Sequence, residues 1–336
     1  MNLYKISQEL KDEPAYRTRQ AYAAVFQQLV GSWAEVTGFP IALRERLEQN
    51  CPLAIPAAVS PSNGGRVQKA VVTLGDGNVV EAVLMRHPGD RNTVCVSSQV
   101  GCPLGCTFCA TGRRGFTRNL KSDEIVMQVV LFGRYLKRLQ QRVTNVVFMG
   151  MGEPFLNYDQ VLGAVREINS PDRLSIGARH ISISTAGIIT GIHRLAAEPL
   201  QVNLAISLHA PTDELRERIM PVNRQYPIRA VLMATADYIR KTKRRVMVEY
   251  LLISGVNDSP AHADTLAAVL QRYLPELNFV NLISYNPTGV FRSPSAAEAQ
   301  RFSRQLRERH VAVVERFRFG REVDGACGQL AGRPKR

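Results

Sequence analysis

The spacing of apolar positions along this chain changes character twice. Residues 1–66 carry apolar side chains at helical spacing, most clearly in AYAAVFQQLVGSWAEV, among Ala, Leu, Gln and charge. They predict a small N-terminal helical accessory domain, closed by the turn-forming SPSNGG at 60–65. Residues 67–94 then place two β-rich runs around Gly75-Asp76-Gly77, which predicts a β-hairpin connector. From about Thr93 short apolar runs alternate with amphipathic stretches. Strands are expected at 145–150, 180–185, 202–208, 245–252, 278–285 and 311–317. Helices are expected at 120–141, 158–169, 187–197, 212–219, 228–243, 260–273 and 295–310. Alternation of this kind predicts an α/β domain over 95–336, a parallel sheet with helices outside it. The spacing suits a full or partial barrel of the TIM type, in which chemistry gathers at the C-terminal ends of the strands.

Composition adds a partner class. The 336 residues are 45% hydrophobic, enough for a large core, and carry a formal net charge of +14. A balance this basic suits a polyanion such as RNA or DNA, and equally a soluble protein that is merely basic. Apolar runs are too short and too often broken by charge to cross a membrane, and MNLYKISQELKDEPAYRTRQ has no apolar leader core. The expected location is the cytoplasm, and the expected state a monomer.

Six cysteines are present, and four of them, Cys95, Cys102, Cys106 and Cys109, fall within fifteen residues. Crowding of this kind suits a metal site better than disulfide staples. Cys102-Pro-Leu-Gly-Cys106-Thr-Phe-Cys109 is a C-x3-C-x2-C pattern. Three thiolates on one tight loop suit three irons of a 4Fe-4S cube, leaving the fourth iron open to a ligand. Gly101 and Gly105 let the loop wrap a bulky group. The competing reading is a zinc site, which more often shows a second C-x2-C or a nearby histidine pair; neither occurs here. Cys51 matches no motif and reads as structural.

At these residues the chain resembles a known family. CVSSQVGCPLGCTFCATG at 95–112 is similar to the corresponding run of the RlmN/Cfr family of radical S-adenosylmethionine (SAM) RNA methyltransferases. So are MGMGEPFLN, SISTAG, ISLHAP, PVNRQYPI, GVNDS, YNPTG and VDGACGQLAG, in family order from about residue 70 onward. The resemblance implies a radical SAM partial barrel, with Cys102, Cys106 and Cys109 holding one 4Fe-4S cluster. It implies SAM contacts from Gly152, Glu153, Ser184, Ser207, Leu208, His209 and Asn286, most of them at strand ends. It implies that Cys327 is methylated by one SAM and loses a hydrogen to a radical made from a second. The sulfur-bound methylene then adds to an adenine carbon, Glu81 removes a proton, and Cys95 releases the base by pairing with Cys327. An sp2 adenine carbon is a poor nucleophile for direct methyl transfer, and this route avoids that difficulty.

The implied partners are 23S rRNA, with tRNA as a second candidate, and an external low-potential electron donor. Two basic runs are candidate phosphate contacts: Arg113, Arg114, Arg118 and Lys121, and Lys241, Lys243, Arg244 and Arg245. CATG, VNLISYNPT and FRFG resemble the C8-methylating Cfr-like members, whereas GMGEP and GQLAG resemble the C2-methylating RlmN-like ones. C2 is the expected position. The run Glu322-Val323-Asp324-Gly325-Ala326 departs from the family in placing Gly325 where an alanine is usual, which loosens the loop before Cys327. A radical SAM enzyme with another substrate and a zinc-stabilised RNA-binding protein remain as alternatives.

Overall fold

In a computed structural model, residues 3–62, 64–276, 278–315 and 324–331 are described. The chain opens with three helices, α1 (Leu3–Glu9), α2 (Ala15–Phe26) and α3 (Ile41–Asn50). They enclose Trp33, which is fully buried and donates its Nε1–H to the carbonyl of Cys51 at 2.9 Å. Burial pushes the Cys51 thiol up to about 11, as expected of an inert structural cysteine.

Next comes an antiparallel set, β1 (Ala57–Pro61), β2 (Val67–Thr73) and β3 (Val79–Arg86), followed by β4 (Asn92–Cys95). The expected hairpin forms between β2 and β3, but it is not a separate connector. The three strands extend the main sheet. Ala57–Pro61, within the stretch read as helical, pairs with β2 as a strand. Its Ala-Ala-Val-Ser-Pro composition gives no period-two signal, and pairing alone makes it β. β4 is already the first parallel strand of the barrel, three residues before the expected boundary at 95.

A small antiparallel pair, β5 (Gln99–Gly101) and β6 (Phe116–Asn119), brackets the cysteine loop and the one-turn helix α4 (Ala110–Arg113). Regular alternation follows: α5 (Ser122–Lys137), β7 (Asn145–Phe148), α6 (Tyr158–Asn169), β8 (Ile181–Thr185), α7 (Ile189–Ala197), β9 (Asn203–Ser207), α8 (Asp213–Ile219), α9 (Ile228–Thr242), β10 (Val246–Leu252), α10 (Pro260–Tyr273), β11 (Asn278–Ser284), α11 (Ala296–Glu308) and β12 (Val313–Glu315). Sheet order is β1-β2-β3-β4-β7-β8-β9-β10-β11-β12, and every pairing from β4 to β12 is parallel. This is the expected partial barrel. The expected strand at 311–317 is described only as far as residue 315.

Pleat and register divide the barrel strands into two faces. Val146, Ile181, Ile183, Leu204, Ile206, Val246, Val248, Tyr250 and Val280 are fully or almost fully buried against the surrounding helices. The opposite face is unusually polar, because the register aligns Cys95, Val147, Ser182 and Asn203 across β4, β7, β8 and β9. Further up the strands on this face stand Ser184 and, one step beyond it, Ser207 opposite Glu249. An interior lined this way is a binding chamber rather than a hydrocarbon plug. Among the described residues no helix is long and apolar enough to cross a membrane.

Candidate active site

The cysteine loop is shaped by close backbone contacts. Gly101 has φ +77°, and a Cβ there would lie 2.0 Å from the Gly115 carbonyl oxygen. That contact and the Cys102 N–H donated to the same carbonyl at 2.8 Å fold the loop back on itself. The Thr107 N–H is donated to the Ile219 carbonyl at 3.0 Å, which ties the loop to the end of α8. As a result Cys102, Cys106 and Cys109 all line one cavity at the C-terminal ends of the strands. Burial pushes the Cys102 thiol up to about 12 and raises Cys106 well above the ordinary thiol range. Thiols held so far from ionisation bind metal only by losing protons to it, and three soft sulfur donors in one wall suit an iron–sulfur cluster.

The strand ends supply the rest of the wall. Gly152, Glu153, Ser184, Ser207 and His209 all face the same cavity. Gly152 has φ +100°, and a Cβ there would meet the Gln99 side chain at 2.5 Å, so glycine alone fits. The Glu153 carboxylate is almost fully buried and accepts from the N–H groups of Phe155 (3.0 Å) and Ala186 (2.8 Å). Desolvation outweighs those donors and pushes it up to about 7. Ser184 and Ser207 touch hydroxyl to hydroxyl at 3.2 Å across β8 and β9.

His209 has φ +61° and stands edge-on to Phe108, with ring centroids 5.2 Å apart. Its Nδ1 accepts the Leu251 N–H at 3.0 Å, so the neutral ring carries its proton on Nε2. Burial and the nearby Arg216 charge push the imidazole down to about 3, so at neutral pH it is a donor and not a cation. Leu208 differs from the expectation. It is fully buried, is absent from the cavity wall, and acts through its backbone, donating to the Glu249 carbonyl and accepting from Arg216.

Cys327 lines the same cavity, on a segment that packs beside the cysteine loop. Its segment is held by the Thr111 hydroxyl donating to the Leu330 carbonyl (2.6 Å), the Ala110 N–H donating to the Gly328 carbonyl (2.8 Å) and the Arg114 guanidinium donating to the Ala331 carbonyl. Asn286 stands behind the wall, donating from Nδ2 to the Cys327 carbonyl at 3.3 Å, while its Oδ1 is buried without a partner. A buried amide oxygen left over in this way is chemically suited to accept from a donor on a cofactor. Of the departing run before Cys327, Glu322 and Val323 lie outside the described residues; Asp324 adopts φ +49°.

Cys95 and Glu81 do not reach the wall of this cavity. Register puts both on the barrel's inner face. Cys95 pairs with Val147 and Val83, and Glu81 lies two residues from Val83 on β3. Glu81 Oε2 accepts the Ala331 N–H at 3.2 Å, so it touches the Cys327 segment by another route.

Sequence reasoning missed two site residues. Glu249 lines the cavity, and both its oxygens accept from Asn281 Nδ2 at 3.0 and 2.8 Å. A lone charge in the apolar strand VMVEYLL was a usable signal. Arg216 is fully buried and donates to the carbonyls of Ala186, Ser207, Leu208 and Tyr226 and to Asn223 Oδ1, binding the ends of β8 and β9 to α8. In LRERI nothing distinguishes it from Arg218.

The two basic runs separate. Arg113 donates to the Thr288 carbonyl at 2.7 Å beside the cavity, and Arg118 is engaged by Asp76 and Glu124. Arg244 and Arg245 bind Asn203 Oδ1 and the Asn278 carbonyl, at the first residues of β9 and β11. The second run therefore lies at the floor of the barrel, away from the site.

A partial parallel barrel with three loop cysteines and polar strand ends around one cavity defines a radical SAM protein. Residues 96–266 match the family model for the Radical SAM superfamily. The chain is 45% identical to a probable dual-specificity RNA methyltransferase RlmN of Chloroflexus aurantiacus, covering 99% of this chain and 92% of that one. It is 43% identical to the protein of the same name from Symbiobacterium thermophilum, over 100% and 91%. The crystal structure of a radical SAM methyltransferase from Sphaerobacter thermophilus superposes with a TM-score of 0.92 at 41% identity, over 99% and 98% of the two chains. The chain belongs to the RlmN family of radical SAM RNA methyltransferases. Membership implies SAM and a 4Fe-4S cluster as cofactors, and the three thiols with the adjoining polar strand ends are a donor set that fits both.

Proposed function

We propose that this enzyme methylates C2 of an adenosine in 23S rRNA, with tRNA as a second substrate, through a methyl group carried on Cys327. The observation that carries this reading is that Cys327, 218 residues beyond Cys109 in sequence, lines the same cavity as the three cluster cysteines. The relatives' shared name, which specifies a dual-specificity RNA methyltransferase, supports the pair of RNA substrates.

Cys102, Cys106 and Cys109 would hold the cluster, which when bound supplies the electron that opens SAM to a carbon radical. Glu153 and the Ser184–Ser207 pair would orient the cofactor, with the His209 Nε2–H and Asn286 Oδ1 as further polar contacts. Cys327 would carry the methyl group, lose one hydrogen atom and add its methylene carbon to the base. Glu81 would take the displaced ring proton as the adduct's unpaired electron returns to the one-electron carrier that supplied it. Cys95, on the inner face of β4, would attack the Cys327 sulfur as a thiolate, forming the Cys95–Cys327 disulfide and freeing the base, whose new methyl group takes up one proton. Arg113 and Lys121, near the cluster loop, are the candidate phosphate contacts.

Peptide mass spectrometry of anaerobically prepared enzyme tests the reading. Wild type incubated with SAM is expected to carry one methyl group on Cys327, and Cys327→Ala to yield no methylated RNA. A Cys327→Ala enzyme that methylates RNA at the wild-type rate contradicts the reading.

A further inference from the structure

Among the described residues one ion pair is withdrawn from water. Lys69 of β2 and Glu81 of β3 have side chains 5% and 1% exposed, with Nζ 3.4 Å from Oε1. In every other pair one partner is more than a quarter exposed. The register sets Lys69 opposite Val83 and Glu81 opposite Val71, so the two are diagonal neighbours on one face, the face that β4 continues with Cys95. Two apolar side chains would satisfy the packing here at lower desolvation cost.

The surroundings of Glu81 are fixed on every side. Its N–H points at Met151 Sδ (3.4 Å), and its carbonyl accepts from Ser97 Oγ (2.6 Å). One carboxylate oxygen meets Lys69, and the other accepts the Ala331 N–H. Ala331 is four residues beyond Cys327, and its carbonyl is held from the other side by Arg114 of the cluster-proximal rim. The carboxylate therefore bridges the β2–β3 hairpin and the segment that carries Cys327.

We propose that Lys69 is the positioning residue for Glu81: its ammonium clamps one carboxylate oxygen so that the group stays directed at the Cys327 segment, where the proton of the bridged base must be collected. The proposal rests on the reading of Glu81 as proton acceptor. In that step the ring C–H bond breaks, an O–H bond forms on Glu81, and the electron pair stays on the base. Lys69 neither gains nor loses a proton. A clamp of this kind acts on the resolution of the Cys327–RNA adduct and not on its formation. Small losses of alignment at a reacting group cost one to two orders of magnitude in rate.

Adduct formation and adduct decay can be followed separately by denaturing gel electrophoresis of enzyme with labelled RNA. Glu81→Gln tests the underlying reading and is expected to accumulate the adduct. Lys69→Met is expected to slow decay about tenfold or more while slowing formation much less, and Lys69→Arg to restore most of the decay rate. Lys69→Leu, which likewise carries no donor, serves in place of the methionine variant should that protein fail to fold. If Glu81→Gln accumulates no adduct, the proton-acceptor reading fails. If it does accumulate adduct while Lys69→Met or Lys69→Leu decays at the wild-type rate, or slows both steps equally without rescue by arginine, the role assigned to Lys69 is overturned.

Discussion

Glu153 shows how burial sets the chemistry of a single side chain. Two backbone N–H groups favour its charged form, yet desolvation wins and its carboxyl stands at about 7 instead of the ordinary 4.5. The folded, cluster-free protein thus keeps a proton there between about pH 5 and 7, where the unfolded chain has released it. Stability from this group is fully present below the unfolded value and is lost as pH rises through about 7. Thermal melts of cluster-free protein are expected to show that decline between pH 5 and 8, and Glu153→Gln to flatten it. A wild-type melting temperature that rises across the same interval would contradict the assignment. Arg216 offers the complementary case, a fully buried cation whose hydrogen bonds run to carbonyl and amide oxygens. Arg216→Met strands several buried acceptors at once, and a loss of about 3–5 kcal/mol in denaturant unfolding is expected.

At the scale of elements, the site depends on the short, irregular pieces between β4 and α5. Gly101 admits no side chain, because a Cβ would collide with the Gly115 carbonyl and φ is positive. Gly101→Ala is expected to lose most of its iron and sulfide on anaerobic reconstitution, while the far-UV circular dichroism of the barrel persists; full cluster content would refute the role given to that contact. α4 holds the Cys327 segment through Ala110 and Thr111, immediately after Cys109. Thr111→Val removes one buried hydrogen bond worth about 1 kcal/mol and is expected to speed proteolytic cutting near residues 324–331. These pieces also mark the limit of what the chain discloses by pattern. The long amphipathic helices and the strands from β7 to β11 were legible because their periods are regular and their flanks carry turn residues. β1 has no period, and β5 and β6 are too short to have one, so only their pairing partners define them.

For the whole molecule, the legible part of the site was the part written in contiguous motifs: the three cysteines, Gly152-Glu153, and the serines and histidine at strand ends. The meeting of Cys327 with the cluster loop followed from resemblance and not from spacing, since the convergence is tertiary. Lys69, Glu249 and Arg216 were missed because a charge within a strand or on a short helix is ordinarily solvent-facing; register turns Lys69 and Glu249 inward, and the packing of α8 over the ends of β8 and β9 buries Arg216. The charge distribution carries a similar lesson. Lys241 and Lys243 follow one another closely at the barrel floor, opposite the cavity. Replacing both with alanine is expected to leave RNA affinity within about twofold, whereas Arg113→Ala lowers it and reduces the slope of log K against log salt by about one. Equal losses from the two ends of the barrel would place the RNA elsewhere. The central claim, C2 methylation of an RNA adenosine, is tested most directly by anaerobic turnover with SAM, a low-potential reductant and ribosomal RNA, followed by mass spectrometry of the nucleosides. 2-Methyladenosine is the expected product; 8-methyladenosine, or no methylated adenosine from enzyme with an intact cluster, would contradict the account.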